Sequence, residues 1–118
     1  MYLAGGLPHK YIPMPKLTNN NSGINYAASK SAFMILRSID QKLRQGILGL
    51  LEENTRLNVT DIYVKMRMEQ SVASQHLAIL RHAGIVRTER EGKTIYYTLN
   101  RERIAEVVKF VNDITTTM

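Results

Sequence analysis

Residues 57–99 read LNVTDIYVKMRMEQSVASQHLAILRHAGIVRTEREGKTIYYTL, from Leu57 to Leu99. Asn58 and Asp61 stand three apart ahead of an apolar-periodic run, the spacing of a capping box with Asp in the role usually taken by Glu or Gln. A short helix is predicted over Val59 to about Met66, burying Ile62 and either Tyr63 or Met66. Arg67, Met68 and Glu69 make a tight polar turn. A second amphipathic helix follows from about Gln70 to Ala83, with Val72 or Ala73, Leu77 and Leu80 on its core face and Ile79 alongside. Gly84 then falls where a helix stops in the left-handed conformation, which Gly adopts most cheaply. Beyond it, Ile85–Arg90 and Lys93–Leu99 read as two strands, with Ile95, Tyr97 and Leu99 alternating inward. Glu91-Gly92 is a weaker version of the Asp-Gly hairpin turn.

Helix, turn, second helix and charged hairpin are, in that order, the parts of a winged helix-turn-helix, a module that sets its second helix in the DNA major groove. Working outward, Ala32, Phe33, Leu36 and Ile39 recur at helical spacing from Tyr26 on, with Ala27, Ala28 and Met34 beside them. Asp40 is placed to cap a further helix through Glu53, whose stripe is Leu43, Ile47, Leu50 and Leu51. Gly46 and Gly49 in that helix cost roughly 1 kcal/mol each against Ala, which close helix packing would explain. At the other end, Asn100 caps a last helix with the stripe Ile104, Val107, Val108, Val111 and Ile114. The expected fold is mainly α with a small two-stranded β-wing, dimerising through its N- and C-terminal helices. Residues 25–118 would form that domain. Residues 1–24 hold all three prolines (Pro8, Pro13, Pro15) and the TNNNSG segment. They read as a flexible arm whose Tyr2, Leu3, Leu7, Tyr11 and Ile12 offer apolar contacts but whose composition favours a frayed terminus.

At 118 residues, 44% of them hydrophobic, the chain has room for one domain and one core. The net charge of +6 favours an anionic partner, of which nucleic acid is the commonest. With no Cys there are no disulfides, thiolate ligands or redox thiols. No apolar run approaches the ~20 residues of a membrane span, and the N-terminus lacks a basic region followed by an apolar one. The cytoplasm is therefore the expected compartment.

Gln70, Ser71, Ser74 and Gln75 occupy the first two turns of the second helix, the part that meets base edges in this docking mode. Gln bonds bidentately to adenine, and Ser serves several bases or a phosphate. An ordinary exposed polar face is the alternative; the Gly84 stop and the attached wing favour DNA. His76 and Arg81 join the candidate DNA contacts. His76 as a metal ligand has no support: His82, six residues on, lies on another face, and neither Cys nor HExxH accompanies it. In the wing, Arg90 and Lys93 suit phosphate or minor-groove contact, with Arg87 beside them and Glu89 and Glu91 interrupting. Of Tyr96 and Tyr97, alternation puts one in the core and one at the surface. Met66 and Met68 bracket the turn as core filler. No nucleophile elbow, phosphate loop or dinucleotide fingerprint is present, so an enzyme is not expected. No metal or cofactor is expected either.

QSVASQHLAILRHAGIV, Gln70 to Val86, closely resembles the recognition-helix signature of the arsenic-repressor-like (ArsR/SmtB) family of bacterial regulators. Ser71, Ser74, His76, Leu77, Leu80, Arg81, Ala83, Gly84, Ile85 and Val86 fill its pattern. IDQKLRQGILGLLEE resembles that family's Asp-led second helix and REGKTIYYTLN its wing, so the likeness covers roughly residues 35–112. It implies a homodimer in a prokaryotic cytoplasm that binds a double-stranded, near-palindromic DNA operator, as a repressor. It does not imply metal sensing. The family's paired-cysteine positions hold Asn58, Val59, Thr60 and Asp61, and the last helix carries Glu102, Glu106 and Asp113 but no His. Which effector, if any, is sensed stays open. The alternative function is a winged-helix protein–protein module with incidental basic charge, which would expose aromatic or Leu side chains where this chain places short polar ones.

Overall fold

The structure, a computed structural model, describes Ile12, Pro13 and residues 26–116. Among these residues the elements run α1 (Tyr26–Ile39), α2 (Lys42–Glu53), β1 (Leu57–Asn58), α3 (Val59–Met66), α4 (Gln70–His82), β2 (Val86–Glu91), β3 (Thr94–Leu99) and α5 (Arg101–Thr116). The strands form one antiparallel sheet in the order β1-β3-β2. The wing thus has a third strand that periodicity did not predict, pairing Leu57 with Tyr97 and Asn58 with Tyr96. A strand this short has no alternation to read, and only its distant partner defines it. The hairpin ladder runs from Val86 opposite Leu99 to Glu91 opposite Thr94. The two-residue turn is therefore Gly92-Lys93, one residue later than expected. Gly92 adopts φ 64° at the first central position, where this class of turn favours Gly.

Ile35, Ile47, Leu51, Ile62, Leu77, Leu80, Ile85 and Val86 form the fully buried centre. Helix α1 presents a different stripe from the one expected, while α2 buries the expected one except for Leu43. In α1, Ile35 is buried and Phe33 is 61% exposed; in α2, Leu43 is exposed while Ile47 and Leu51 are buried. Helix α2 also starts one residue later than Asp40 suggested. The Asp40 N–H is used in closing α1, on the carbonyls of Leu36 and Arg37. Gln41 takes the extended cap position instead, its Oε1 accepting from the Arg44 N–H at 2.8 Å. At Gly46 an added Cβ would meet the movable tip of Met66, Cε at 2.7 Å, and Gly49 faces open space.

Most of the expected arm lies outside the described residues. Ile12 is described, and it is buried in the core cluster. Its N–H donates to the His82 carbonyl at 2.9 Å, and its own carbonyl accepts from Arg103. Ile95, expected to point into the core, is exposed, because β2 and β3 run on past the body of the domain.

Candidate nucleic-acid interface

Helix α4 is set by the turn before it and by its own apolar face. The capping box at the start of α3 forms as the spacing predicts: the Asp61 N–H donates to Asn58 Oδ1 at 2.8 Å and the Asn58 N–H to Asp61 Oδ2 at 3.4 Å. The helix ends on Arg67 in the left-handed region, φ 55° and ψ 46°, a conformation that costs a residue with a Cβ roughly 1–2 kcal/mol. The chain reverses there, with Arg67 N–H on the Val64 carbonyl and Met68 N–H on that of Tyr63. Ala73, Leu77 and Leu80 then bury one face of α4 completely, which resolves the choice between Val72 and Ala73. Ser71, Ser74 and Gln75 are exposed on the other side, and Gln70 is exposed in the first turn.

The two ends of α4 are treated differently. At the start, Glu69 makes no side-chain capping bond. At the finish every carbonyl has a donor. Gly84 at φ 79° closes a Schellman turn, its N–H on the Arg81 carbonyl and that of Ile85 on Leu80, both at 2.9 Å. Beyond that turn, the His82 carbonyl accepts from the Ile12 N–H at 2.9 Å and that of Ile85 from the Asn100 N–H at 2.8 Å. The Ala83 carbonyl accepts from Arg103 Nε at 3.0 Å and that of Gly84 from Asn100 Nδ2 at 2.9 Å.

His76 turns toward α2, where its Nδ1 lies 3.2 Å from Arg44 Nη1. Burial, and then the Arg44 guanidinium, hold its pKa below the ordinary 6.5. Because a guanidinium only donates, Nδ1 is the acceptor in this contact. Arg44 also donates to the carbonyls of Ser38 and Arg37, the last turn of α1, so one guanidinium joins α1, α2 and the recognition helix. Arg81, half-buried on the last turn, faces the Tyr97 phenol, whose pKa burial raises and Arg81 partly restores. Nothing in the local sequence pattern marked Arg44.

In the wing, alternation sorts the charges. Arg90 lies opposite Ile95, on the face that Thr88, Tyr97, Val86 and Leu99 carry toward the body. Arg87, Glu89 and Glu91 lie on the other face with Thr98, Tyr96 and Thr94. Glu91 accepts from Arg56 Nη2 at 3.1 and 3.2 Å, and Glu89 lies 3.9 Å from Arg56 Nη1. The same guanidinium stacks 3.9 Å from the centre of the Tyr96 ring. Both tyrosines are half-buried rather than split between core and surface: Tyr97 packs against the core and Tyr96 lies under Arg56. Arg87 is paired with Glu102. Arg90 Nε steadies the turn by donating to the Gly92 carbonyl at 3.1 Å, and Lys93 is exposed within the turn itself. Gln70, Ser71, Ser74 and Gln75 therefore come together on one surface and Arg90 and Lys93 at the wing tip, while His76 and Arg81 sit behind them. Arg56 was missed because its partners are more than thirty residues away.

Residues 41–88 match the family described as "Bacterial regulatory protein, arsR family". The chain is 32% identical to the transcriptional activator HlyU of Vibrio cholerae over 84 residues, 71% of this chain and 77% of the relative. It is 30% identical to the transcriptional repressor PagR of Bacillus anthracis over 91 residues, 77% and 91% of the two chains. The chain belongs to the arsR family. The solved structure of PagR superposes with a TM-score of 0.60 at 28% identity, covering 74% of this chain and 99% of that one. The arsR-family chain is thus a DNA-binding transcriptional regulator with a winged-helix fold, and the interaction-module alternative gives way. Among the described residues no group of His, Cys, Asp or Glu is arranged to hold a metal ion, and no helix is long and apolar enough to cross a membrane.

Proposed function

We propose that this chain is a homodimeric, cytoplasmic repressor that reads a near-palindromic operator and does so without a metal sensor. The observation that carries the reading is the exposed set Gln70, Ser71, Ser74 and Gln75 on α4, set off from the buried Ala73, Leu77 and Leu80. These side chains meet base edges, and Arg90 and Lys93 meet phosphate. His76, with Nδ1 given to Arg44, and Arg81, turned to the wing, act behind the contact surface.

Dimerisation rests on apolar surface left open on the outer helices. Phe33 is 61% and Val108 53% exposed, with Met34 exposed as well. A cavity of about 370 Å³ lined by Ile39, Leu48, Ile104, Val107 and Val108 opens between α5 and the first two helices. Faces of this kind cover each other across a two-fold axis, which would set two recognition helices about 34 Å apart on successive major grooves. Of the two relatives, HlyU carries an activator's name and PagR a repressor's. We assign repression because an operator-bound dimer needs nothing further to block a promoter.

Selection of bound duplexes from a random DNA pool by the purified chain tests the reading. A two-fold-symmetric consensus with half-sites one helical turn apart is expected. Failure to enrich any sequence, or a monomer by light scattering at tens of micromolar, would contradict it.

A further inference from the structure

We infer that Arg56 is a positioning residue for DNA binding, which offsets part of the charge of Glu89 and Glu91 and holds both in place so that the wing presents Arg90 and Lys93 to phosphate. The inference rests on the wing contact proposed above. Its basis is a local charge balance. Arg87 is engaged by Glu102. The charges left near the tip are then Glu89 and Glu91 against Arg90 and Lys93, and alone they cancel. A hairpin with no net charge gains nothing from approaching a polyanion, and its carboxylates are repelled. Arg56 tips this balance.

The geometry suits the task better than a loose ion pair would. Arg56 Nη2 donates to both oxygens of Glu91, its Nη1 lies 3.9 Å from Glu89, and the guanidinium lies on the Tyr96 ring. Three partners therefore limit its movement. Tyr96 is fixed by the ladder to Asn58, one residue beyond the start of β1, so the root of the clamp is tied to the start of α3. The wing acids are held on the face away from Arg90 by strand alternation and kept there by Arg56. An exposed pair like this adds little to folding stability, which makes a charge role separable from a structural one.

A double-mutant cycle tests the inference on the full chain. Affinity for the selected operator and for a random duplex of equal length is measured by fluorescence anisotropy over a series of salt concentrations. The proteins are the wild type, Arg56→Gln, the pair Glu89→Gln and Glu91→Gln, and all three changes together. Arg56→Gln is expected to weaken binding to both duplexes about three- to tenfold near 0.1 M salt, with the difference shrinking as salt rises. The glutamine pair should bind at least as tightly as the wild type, and adding Arg56→Gln to that pair should cost clearly less than it does in the wild type, since only one distant positive charge is then lost and no carboxylate is released. If Arg56→Gln costs as much in the neutralised background as in the wild type, Arg56 touches DNA itself and the positioning role is refuted. If Arg56→Gln binds as the wild type does, the inference fails while operator binding by the wild type leaves the functional reading standing. A wild type that binds neither duplex sinks that reading as well. Melting temperatures of all four proteins should agree within ~3 °C; a larger fall in Arg56→Gln that the glutamine pair does not relieve would make the residue structural.

Discussion

Replacing Gln75 by Ala separates sequence readout from simple attraction. Gln75 is exposed on α4, and its side chain makes no hydrogen bond to another described residue. The change opens no cavity and strands no partner, and Ala is the better helix former by a few tenths of a kcal/mol. Folding stability should therefore hold or rise slightly, so any loss belongs to the complex. A bidentate contact from Gln to a base edge discriminates by about 1–3 kcal/mol. Operator affinity per half-site should then fall roughly 5- to 150-fold, while affinity for random duplex stays within about twofold. Lys93→Ala is the control, because an ammonium in a hairpin turn attracts phosphate whatever the base sequence. It should weaken operator and random DNA alike and lower the log–log salt slope by about 1 per half-site. Anisotropy titrations of both proteins on both duplexes, with melting curves alongside, make the measurement. Equal losses on the two duplexes for Gln75→Ala would refute the base-reading assignment. A loss for Ser71→Ala or Ser74→Ala where Gln75→Ala has none would shift readout to that serine.

Gly84→Ala should destabilise the fold by about 1–2 kcal/mol, seen as a lower denaturation midpoint, since φ 79° forces a Cβ into the left-handed region where the Schellman turn closes. Arg67→Gly should do the reverse in the same assay, relieving the strain of φ 55° in the helix-turn-helix turn for a gain of about 0.5–1 kcal/mol. His76 sets a pH dependence of stability. Its folded pKa lies below 6.5 because of burial and then Arg44, so the unfolded chain binds more protons in that window. Stability should be fully present above about pH 6.5 and decline as pH falls toward the folded pKa. Denaturant titrations from pH 7.5 to 5 should show a decline that is reduced in His76→Gln; an equal decline in that variant would place its origin elsewhere.

Short-range rules made much of this fold legible. The capping box of Asn58 and Asp61, the Gly84 stop and the Ala73-Leu77-Leu80 face all depend on residues within a few positions of one another, and the structure forms each as the spacing predicts. Errors of one position came where two signals competed. Asp40 is a better cap than Gln41 by type, but it belongs to the closing turn of α1, and the extended cap position falls to Gln41. Glu91-Gly92 is the more familiar turn dipeptide, yet the ladder register gives the turn to Gly92-Lys93. In α1, helical spacing groups Phe33 with Ala32, Leu36 and Ile39, whereas the helix turns Ile35 inward and leaves the Phe33 ring out. On a helix whose apolar residues nearly surround it, periodicity does not say which neighbour each side will meet.

What could not be read depends on contacts between distant segments, and it bears on the candidate site most of all. Polar residues on α4 are visible in the sequence, but the means of holding that helix are not. Its C-terminal carbonyls are bonded from Ile12 near one end of the chain and from Asn100 and Arg103 at the head of α5. Its roll is tied to α2 through Arg44 and His76. A buried carbonyl without a donor costs about 1–3 kcal/mol, so each of these bonds penalises any motion that draws the helix end away from the body. The N-terminal end carries no side-chain cap. The recognition helix is thus constrained at the end that faces the protein and left open at the end proposed to enter the groove. Such preorganisation lets base contacts contribute to affinity instead of being spent on ordering the helix.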